Sequence, residues 1–354
     1  MEVKWYNYQF EGDSYYLAGD IGGTNSNLAI VGAQGDNLKI ILECIFSTQK
    51  INSLVTPVRQ TLDEFKSKRN DSLKACCISA AGPVHDNYCA LTNASWDIDG
   101  REIENHIGIR TSVINDFMAI SYSLPLLDPN DPEQITQIPH SDGSTPQAGG
   151  MVRAVAGAGT GLGIGFLLHD RERYIACPSE GGHFDFAAFD EETQDLHDYL
   201  LDTRPHTPCS ELLVSGQGIV NIFEFFKERR KVELTGVLKD IDAADPSEKP
   251  KLISMNADKN EVCLDIMKLF IKLYGRFAGN LCLVFLPFGG LYLAGGIASK
   301  NEHLFLEHNL FMRHFESEGN HHIRTLLNRV PVYIIKDYSI SLLGAANAAR
   351  YIMF

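Results

Sequence analysis

Short apolar runs alternate along this chain with segments where apolar residues recur at helical spacing. Tyr15–Ile21 and Leu28–Val31 are runs of strand length, and Gly22-Gly23-Thr24-Asn25 between them is turn chemistry, so the first predicted feature is a β-hairpin. A third strand fits Leu38–Phe46. Leu54, Val58, Leu62 and Phe65 then predict a helix with Ser53 as its N-cap. Leu73–Ser79 reads as a strand ended by Gly82-Pro83. Ser112–Ile114 is a short strand that runs through Asn115-Asp116 into a helix, Phe117–Leu124.

Residues 125–150 are rich in Pro, Asp, Gly and Ser and read as loop. A second hairpin follows: strand Val152–Ala156, turn Gly157–Gly161, strand Leu162–Leu168. Val262, Ile266, Leu269, Leu273, Phe277, Leu281 and Val284 trace a long amphipathic helix, stopped by Pro287 and Gly289-Gly290. Leu291–Ala294 is a strand, Gly295-Gly296 a turn, Val332–Ile335 a late strand and Ile340–Ile352 a closing helix. The polar stretch Asp240–Lys259 reads as a surface insertion.

The two hairpins echo each other. Each joins two apolar strands through a turn that carries Gly-Thr, Gly23-Thr24 in one half and Gly159-Thr160 in the other. Gly-Thr in one hairpin turn is common; the pair of them points to duplicated α/β domains. Such turns gather backbone N–H groups around an anion without Cβ interference. Asp20 stands at the mouth of the first turn, where a carboxylate repels phosphate unless a cation lies between; Mg²⁺, with its oxygen ligands and retained waters, is the expected one. The second turn holds no acidic residue. One turn with the acid and one without suit a single Mg-nucleotide.

At 354 residues the chain is long enough for two domains of about 100–200 residues each. Its 44% hydrophobic and 21% charged residues exclude wholesale disorder. Thirty-one basic against forty-five acidic side chains leave a net charge of −14, so no nucleic-acid partner is expected, and an anionic substrate needs a local device to hold it. No apolar run approaches the roughly 18 residues that span a bilayer, and the N-terminus lacks signal-peptide features, so no membrane association is expected. Eight scattered cysteines without Cys-x-x-Cys read as reduced thiols of a cytoplasmic protein. The absence of any Gly-Lys dipeptide excludes a P-loop. The second turn fails G-x-G-x-x-G at its last position and precedes a strand, which disfavours a nicotinamide enzyme.

Six motifs occur in order: LAGDIGGTNSNLAI (Leu17–Ile30), VINDF (Val113–Phe117), AGAGTGLG (Ala156–Gly163), EGGH (Glu180–His183), SELLVSGQGIVN (Ser210–Asn221) and LAGGIA (Leu293–Ala298). The set resembles the bacterial-type ATP-dependent glucokinases of the sugar-kinase/actin-like superfamily, from about residue 15 to 354. That resemblance implies an α/β, two-lobed, ribonuclease H-like/actin-like fold with a cleft between lobes. The smaller domain would comprise residues 1–124 plus 338–354, the larger 125–337. It implies ATP:D-glucose 6-phosphotransfer with ATP as co-substrate, glucose as the other small-molecule partner, and a homodimer. It makes Asp116 the catalytic base. Asn115, Asp116, Glu180, His183 and Glu211 become glucose contacts. Asp20, Gly22, Gly23, Thr24, Asn25, Gly159, Thr160, Gly161, Gly295 and Gly296 become ATP contacts, with Asp20 facing Mg²⁺ through water.

The residues support these roles in different degrees. A carboxylate at a helix N-terminus stays ionised and can take a hydroxyl proton, yet Asn-Asp before an apolar helix is also a common cap, and position alone leaves Asp116 between the two. Carboxylates and an amide match vicinal sugar hydroxyls, and a pocket of this kind rejects analogues that lack one. No cysteine cluster follows His183, so zinc is not expected. Two other functions share these motifs: a kinase for another hexose or an amino sugar, and a non-catalytic sugar-sensing regulator. The regulator is disfavoured by the short stretch before the first strand, the acidic charge and an intact Asp116.

Overall fold

In the computed structural model, which describes residues 1–91, 94–171, 173–317, 319–337 and 340–352, the first half opens with five strands, four of them the apolar runs read from the sequence. These are β1 (Glu2–Trp5), β2 (Ser14–Ile21), β3 (Asn25–Gln34), β4 (Asn37–Ser47) and β5 (Leu73–Ala80). A small ribbon of β6 (Val84–His85), β7 (Tyr88–Cys89) and β8 (Ile98–Asp99) precedes β9 (Thr111–Asn115). The main sheet runs β1-β4-β3-β2-β5-β9, with β5 parallel to both β2 and β9.

Both faces of this sheet are covered, which is why β2 reads as a continuous apolar run and not as alternation. Tyr15, Leu17 and Ile21 pack with Val58, Leu62 and Phe65 of the helix Val55–Lys66. Tyr16 and Ala18 pack on the opposite face with Leu342, Ala345, Ala346, Ala348 and Ala349 of the closing helix Ile340–Tyr351. The small residues of that helix let it lie close to the helix Asp116–Ser123, where Asn347 Nδ2 donates to the Tyr122 carbonyl at 2.8 Å. The N-terminal extension adds β1 to the edge: Trp5 stacks on Phe65 and donates to Glu64 at 2.9 Å, while Arg69 donates to the carbonyls of Tyr8 and Phe10.

The second half supplies β10 (Ile135–Ile138), β11 (Val152–Ala158), β12 (Leu162–Asp170), β13 (Arg173–Ser179), β14 (Leu291–Ala294) and β15 (Val332–Ile335). Their order is β10-β15-β14-β11-β12-β13, with β14 parallel to β11 and β15. The helix Glu261–Phe285, capped by Asn260, is fastened beneath β11 by Tyr274, whose hydroxyl donates to the Ala156 carbonyl at 2.8 Å.

The chain divides into two units: Met1–Asp128 with Gly165–Pro178 and Asp337–Phe354, and Pro129–Ile164 with Ser179–Lys336. The segment Gly165–Pro178 joins the first unit because Leu167, Tyr174 and Ala176 pack into the same core as Tyr16 and the closing helix. Tyr338 and Ser339, at the head of the C-terminal segment expected in the smaller domain, lie outside the described residues, as do Met353 and Phe354.

Two expectations need correction. Residues 125–150 are not all loop, because β10 pairs antiparallel with β15 inside them. The stretch Asp240–Lys259 is not a bare surface insertion: it contributes to the helices Val237–Ala243 and Lys249–Met255, which bury Leu238, Ile241 and Ile253. Its few apolar residues sit one helical turn apart and are outnumbered by charges, so the periodic signal is thin.

Candidate functional site

In the first unit the hairpin turn at Gly22–Asn25 is held from outside itself. Gly22 N donates to the Asn25 carbonyl at 2.9 Å, and Asn25 already opens β3. Thr48, just beyond β4, donates its hydroxyl to the Gly22 carbonyl at 2.7 Å and its amide to the Thr24 carbonyl at 2.9 Å. Its hydroxyl also meets buried Ser26 Oγ at 2.9 Å, and Gln49 donates to the Gly23 carbonyl. Thr24 and Asn25 are left exposed at the tip.

Asp20 lies at the end of β2. Burial, and then the charge of Asp116, push its carboxyl up to about 6, against a hydrogen bond from Ser341 that holds it down. Asp116 is therefore its electrostatic neighbour. Asp116 starts its helix half-buried, and the cap is Asn115: Asn115 Oδ1 accepts from Phe117 N at 2.8 Å, and its Nδ2 reaches the Gly82 carbonyl at 3.2 Å. Asp116 Oδ1 shares the same Phe117 N–H at 2.9 Å. The capping function that competes with the catalytic reading of Asp116 thus falls mainly on its neighbour.

A half-buried carboxyl raised by a second carboxylate fits a cation arriving with phosphate oxygens. Mg²⁺ needs only one or two protein carboxylates beside its waters and substrate oxygens. Among the described residues no group of three or more His, Cys, Asp or Glu could hold a metal on its own.

In the second unit the predicted residues gather at the ends of β11 and β14. Gly159 N donates to the Gly161 carbonyl at 2.9 Å, closing the turn, and Thr160 is exposed at its tip. Gly157 pairs with Ala294, so the second turn lies beside Gly295-Gly296. Gly295 has φ +93° and a Cβ there would come within 2.5 Å of the Ala158 carbonyl; only glycine fits. Carboxyl ends of neighbouring parallel strands are where α/β sheets hold ligands.

Glu180, His183 and Glu211 are brought to the same place by two short turns, Gly181–His183 and Ser210–Leu212. Ser210 N donates to the Phe184 carbonyl at 2.8 Å and stitches them together. Gly182 presses on the start of β12, where any side chain would strike the Leu162 carbonyl. Glu180 and His183 are exposed. Glu211 is already engaged: its Oε2 accepts from Leu162 N at 2.9 Å, directly after the second turn. Ser215 caps the helix Gly216–Glu228 and donates to the Glu211 carbonyl at 2.7 Å, and Gly216 N donates to the Gly159 carbonyl at 2.7 Å.

Within the first unit, then, Asp20, Gly22–Asn25, Asn115 and Asp116 belong together; within the second, Gly159–Gly161, Glu180, His183, Glu211, Gly295 and Gly296 do. Thr48, Gln49, Ser215, Gly216 and Ser341 were missed. Ser215 had a legible signal, a cap residue before the apolar run Ile219–Phe226. Thr48 and Ser341 act across the fold and left none.

The glucokinase family model matches residues 17–352. The glucokinase of Nostoc sp. is 37% identical, with 94% of this chain and 98% of that protein covered. That of Pectobacterium atrosepticum is 34% identical, covering 96% and 98%. The crystal structure of a glucokinase from an Antarctic psychrotroph superposes with a TM-score of 0.80 at 27% identity, covering 95% of this chain and 99% of that one. Ordered motifs, sheet order and relatives agree over nearly the full length: the chain belongs to the glucokinase family and has its actin-like sugar-kinase fold.

Proposed function

We propose that this protein transfers the γ-phosphoryl group of ATP to the 6-hydroxyl of D-glucose, with Asp116 as the base. Asp116 accepts the hydroxyl proton as the oxygen attacks phosphorus and the bond to ADP breaks; a helix N-terminus favours negative charge at that position. Asn115, Glu180, His183 and Glu211 hold the sugar hydroxyls, and this positioning supplies much of the rate. The turns at Gly22–Asn25 and Gly159–Gly161 offer Thr24, Thr160 and backbone dipoles to the phosphates. Gly295-Gly296, beside that second turn, would face the nucleoside. A divalent cation held at Asp20 would neutralise charge on the phosphate oxygens.

Family membership carries the reaction class. The placement of Asp116 in the first turn of its helix, with Asn115 taking the cap, is the observation that supports the base assignment. Eight free thiols suit the reducing cytoplasm, and we propose a homodimer there.

The test of the base is Asp116→Ala. Turnover is expected to fall about 10²–10⁴-fold while glucose affinity, measured by calorimetry, stays within about tenfold. Near wild-type turnover would remove Asp116 from that role. A coupled assay crossing glucose, fructose, mannose and glucosamine with ATP, ADP and polyphosphate tests donor and acceptor, the glucose–ATP pair being expected fastest.

A further inference from the structure

Buried polar atoms almost always find a partner, so two that do not, on either side of one carboxylate, ask for an explanation. Asp20 faces Asn27 across β2–β3 and Ser79 across β2–β5. Partners in register share a sheet face, and this is the face of Ala18, Ala29 and Cys77 that the closing helix covers. Asn27 Oδ1 and Ser79 Oγ are both buried, and neither has a hydrogen-bond partner among the described residues. Packing does not call for them: their same-face neighbours two positions along each strand are Ala29 and Cys77, and apolar side chains would continue the pattern without leaving a polar atom unpaired.

Their chemistry says what they await. An amide oxygen only accepts, and a hydroxyl accepts readily. Flanking a carboxylate, they make a row of acceptors three strands wide. Such a row suits outward-pointing hydrogens. Waters on a hard divalent cation present them, because the cation holds the oxygen lone pairs and Mg²⁺ keeps several waters when bound. Bare phosphate oxygens would be repelled by the Asp20 carboxylate at the centre of the row unless a cation lay between.

We propose that Asn27 and Ser79 are positioning residues that orient the water shell of the divalent cation carried to Asp20 with the nucleotide. The proposal rests on the reading of Asp20 as the residue facing that cation.

The measurement is calorimetric binding of ADP with and without Mg²⁺, the ratio of the two dissociation constants giving the metal coupling. Ser79→Ala and Asn27→Val are each expected to lower that coupling about tenfold, at the low end of what removing an outer-shell partner costs, and to leave metal-free ADP binding within about twofold. Ser79→Thr, which keeps a hydroxyl, is expected to keep the coupling near that of the wild type. The unliganded Tm is expected to hold or rise in both variants, since each deletes an unpaired buried polar atom. A structural role would do the reverse, lowering Tm and sparing the coupling, and that result would overturn the proposal, as would unchanged coupling at any Tm. Asp20→Asn separates the two levels. If it alone abolishes the coupling, the water-shell proposal fails and the Asp20 reading stands; if it too leaves the coupling intact, the Asp20 reading fails.

Discussion

The two sheets repeat one strand order, β4-β3-β2-β5-β9 in the first and β13-β12-β11-β14-β15 in the second. In each, the leading hairpin closes on a glycine-rich turn at the end of its parallel strands. The braces behind those turns differ. The first turn is held by Thr48 and Gln49, which have no other assigned task. The second is held by Glu211 and by the backbone of Gly216, and Glu211 is also a proposed sugar contact. Under the proposed assignments, the repeated framework keeps phosphate and acceptor duties on separate residues in one copy and merges them in the other.

The largest effects should come from breaking the merged brace. Glu211→Ala removes an acceptor from both the proposed sugar site and Leu162 N, so kcat/KM for glucose is expected to fall on the order of 10²–10³-fold and the KM for ATP to rise as well. Glu180→Gln tests the contrast, because the Glu180 side chain is exposed and only its carbonyl takes part in the turn. The KM for glucose is expected to rise about 10-fold or more with the KM for ATP nearly constant. Steady-state kinetics with each substrate varied decides. If both variants moved both constants alike, the distinction between merged and separate duties would be lost.

A smaller effect is expected from the separate brace. Thr48→Val deletes the hydroxyl bonds to the Gly22 carbonyl and Ser26. It should cost about 1–3 kcal/mol of stability in urea unfolding, with a several-fold rise in the KM for ATP and none in the KM for glucose. A rise in the glucose KM would show that the first turn is not confined to phosphate.

How far these features were legible follows from the range of the forces behind them. The strands β2, β5 and β11 announce themselves because both sheet faces are buried and their residues are nearly all apolar. Gly22-Gly23-Thr24, Gly159-Thr160-Gly161, Asn115-Asp116 and Glu180–His183 are local chemistry on contiguous residues. The braces are not local. Thr48 reaches Gly22, Glu211 reaches Leu162 and Ser341 reaches Asp20 only once the chain has folded, and a lone Thr, Glu or Ser carries no periodicity. β10 hides in a Pro- and Asp-rich stretch because Thr136 and Gln137 leave only its two end residues apolar, whereas the equally short β14 and β15 are almost wholly apolar, and β1 hides because it covers only an edge.

Those edge strands give the comparison its last test, since each sheet gains its sixth strand at a different end and by different chemistry. β1 is fixed by aromatic packing, Trp5 on Phe65. The chain just after β10 is fixed by buried His140, whose Nδ1 lies 2.7 Å from Glu316 Oε1 and whose Nε2 lies 2.9 Å from the Val330 carbonyl. Burial pushes the Glu316 carboxyl up, but hydrogen bonds from His140 and from Ser141 N–H outweigh it and hold it below the ordinary carboxylate range. A carboxyl depressed by folding contributes stability that is complete above its unfolded value, near 4.3, and is lost as pH falls through the lower folded value. Wild-type protein and Glu316→Gln should therefore differ by about 1–3 kcal/mol at neutral pH and converge as the medium is acidified below about pH 4. Segment-resolved hydrogen exchange over that range should show protection fading first in β10 and in the helix Leu310–Phe315, with β1 and β4 unmoved by the substitution. Stability curves that coincided from neutral pH down to pH 3 would mean that the His140–Glu316 contact contributes nothing to holding this edge.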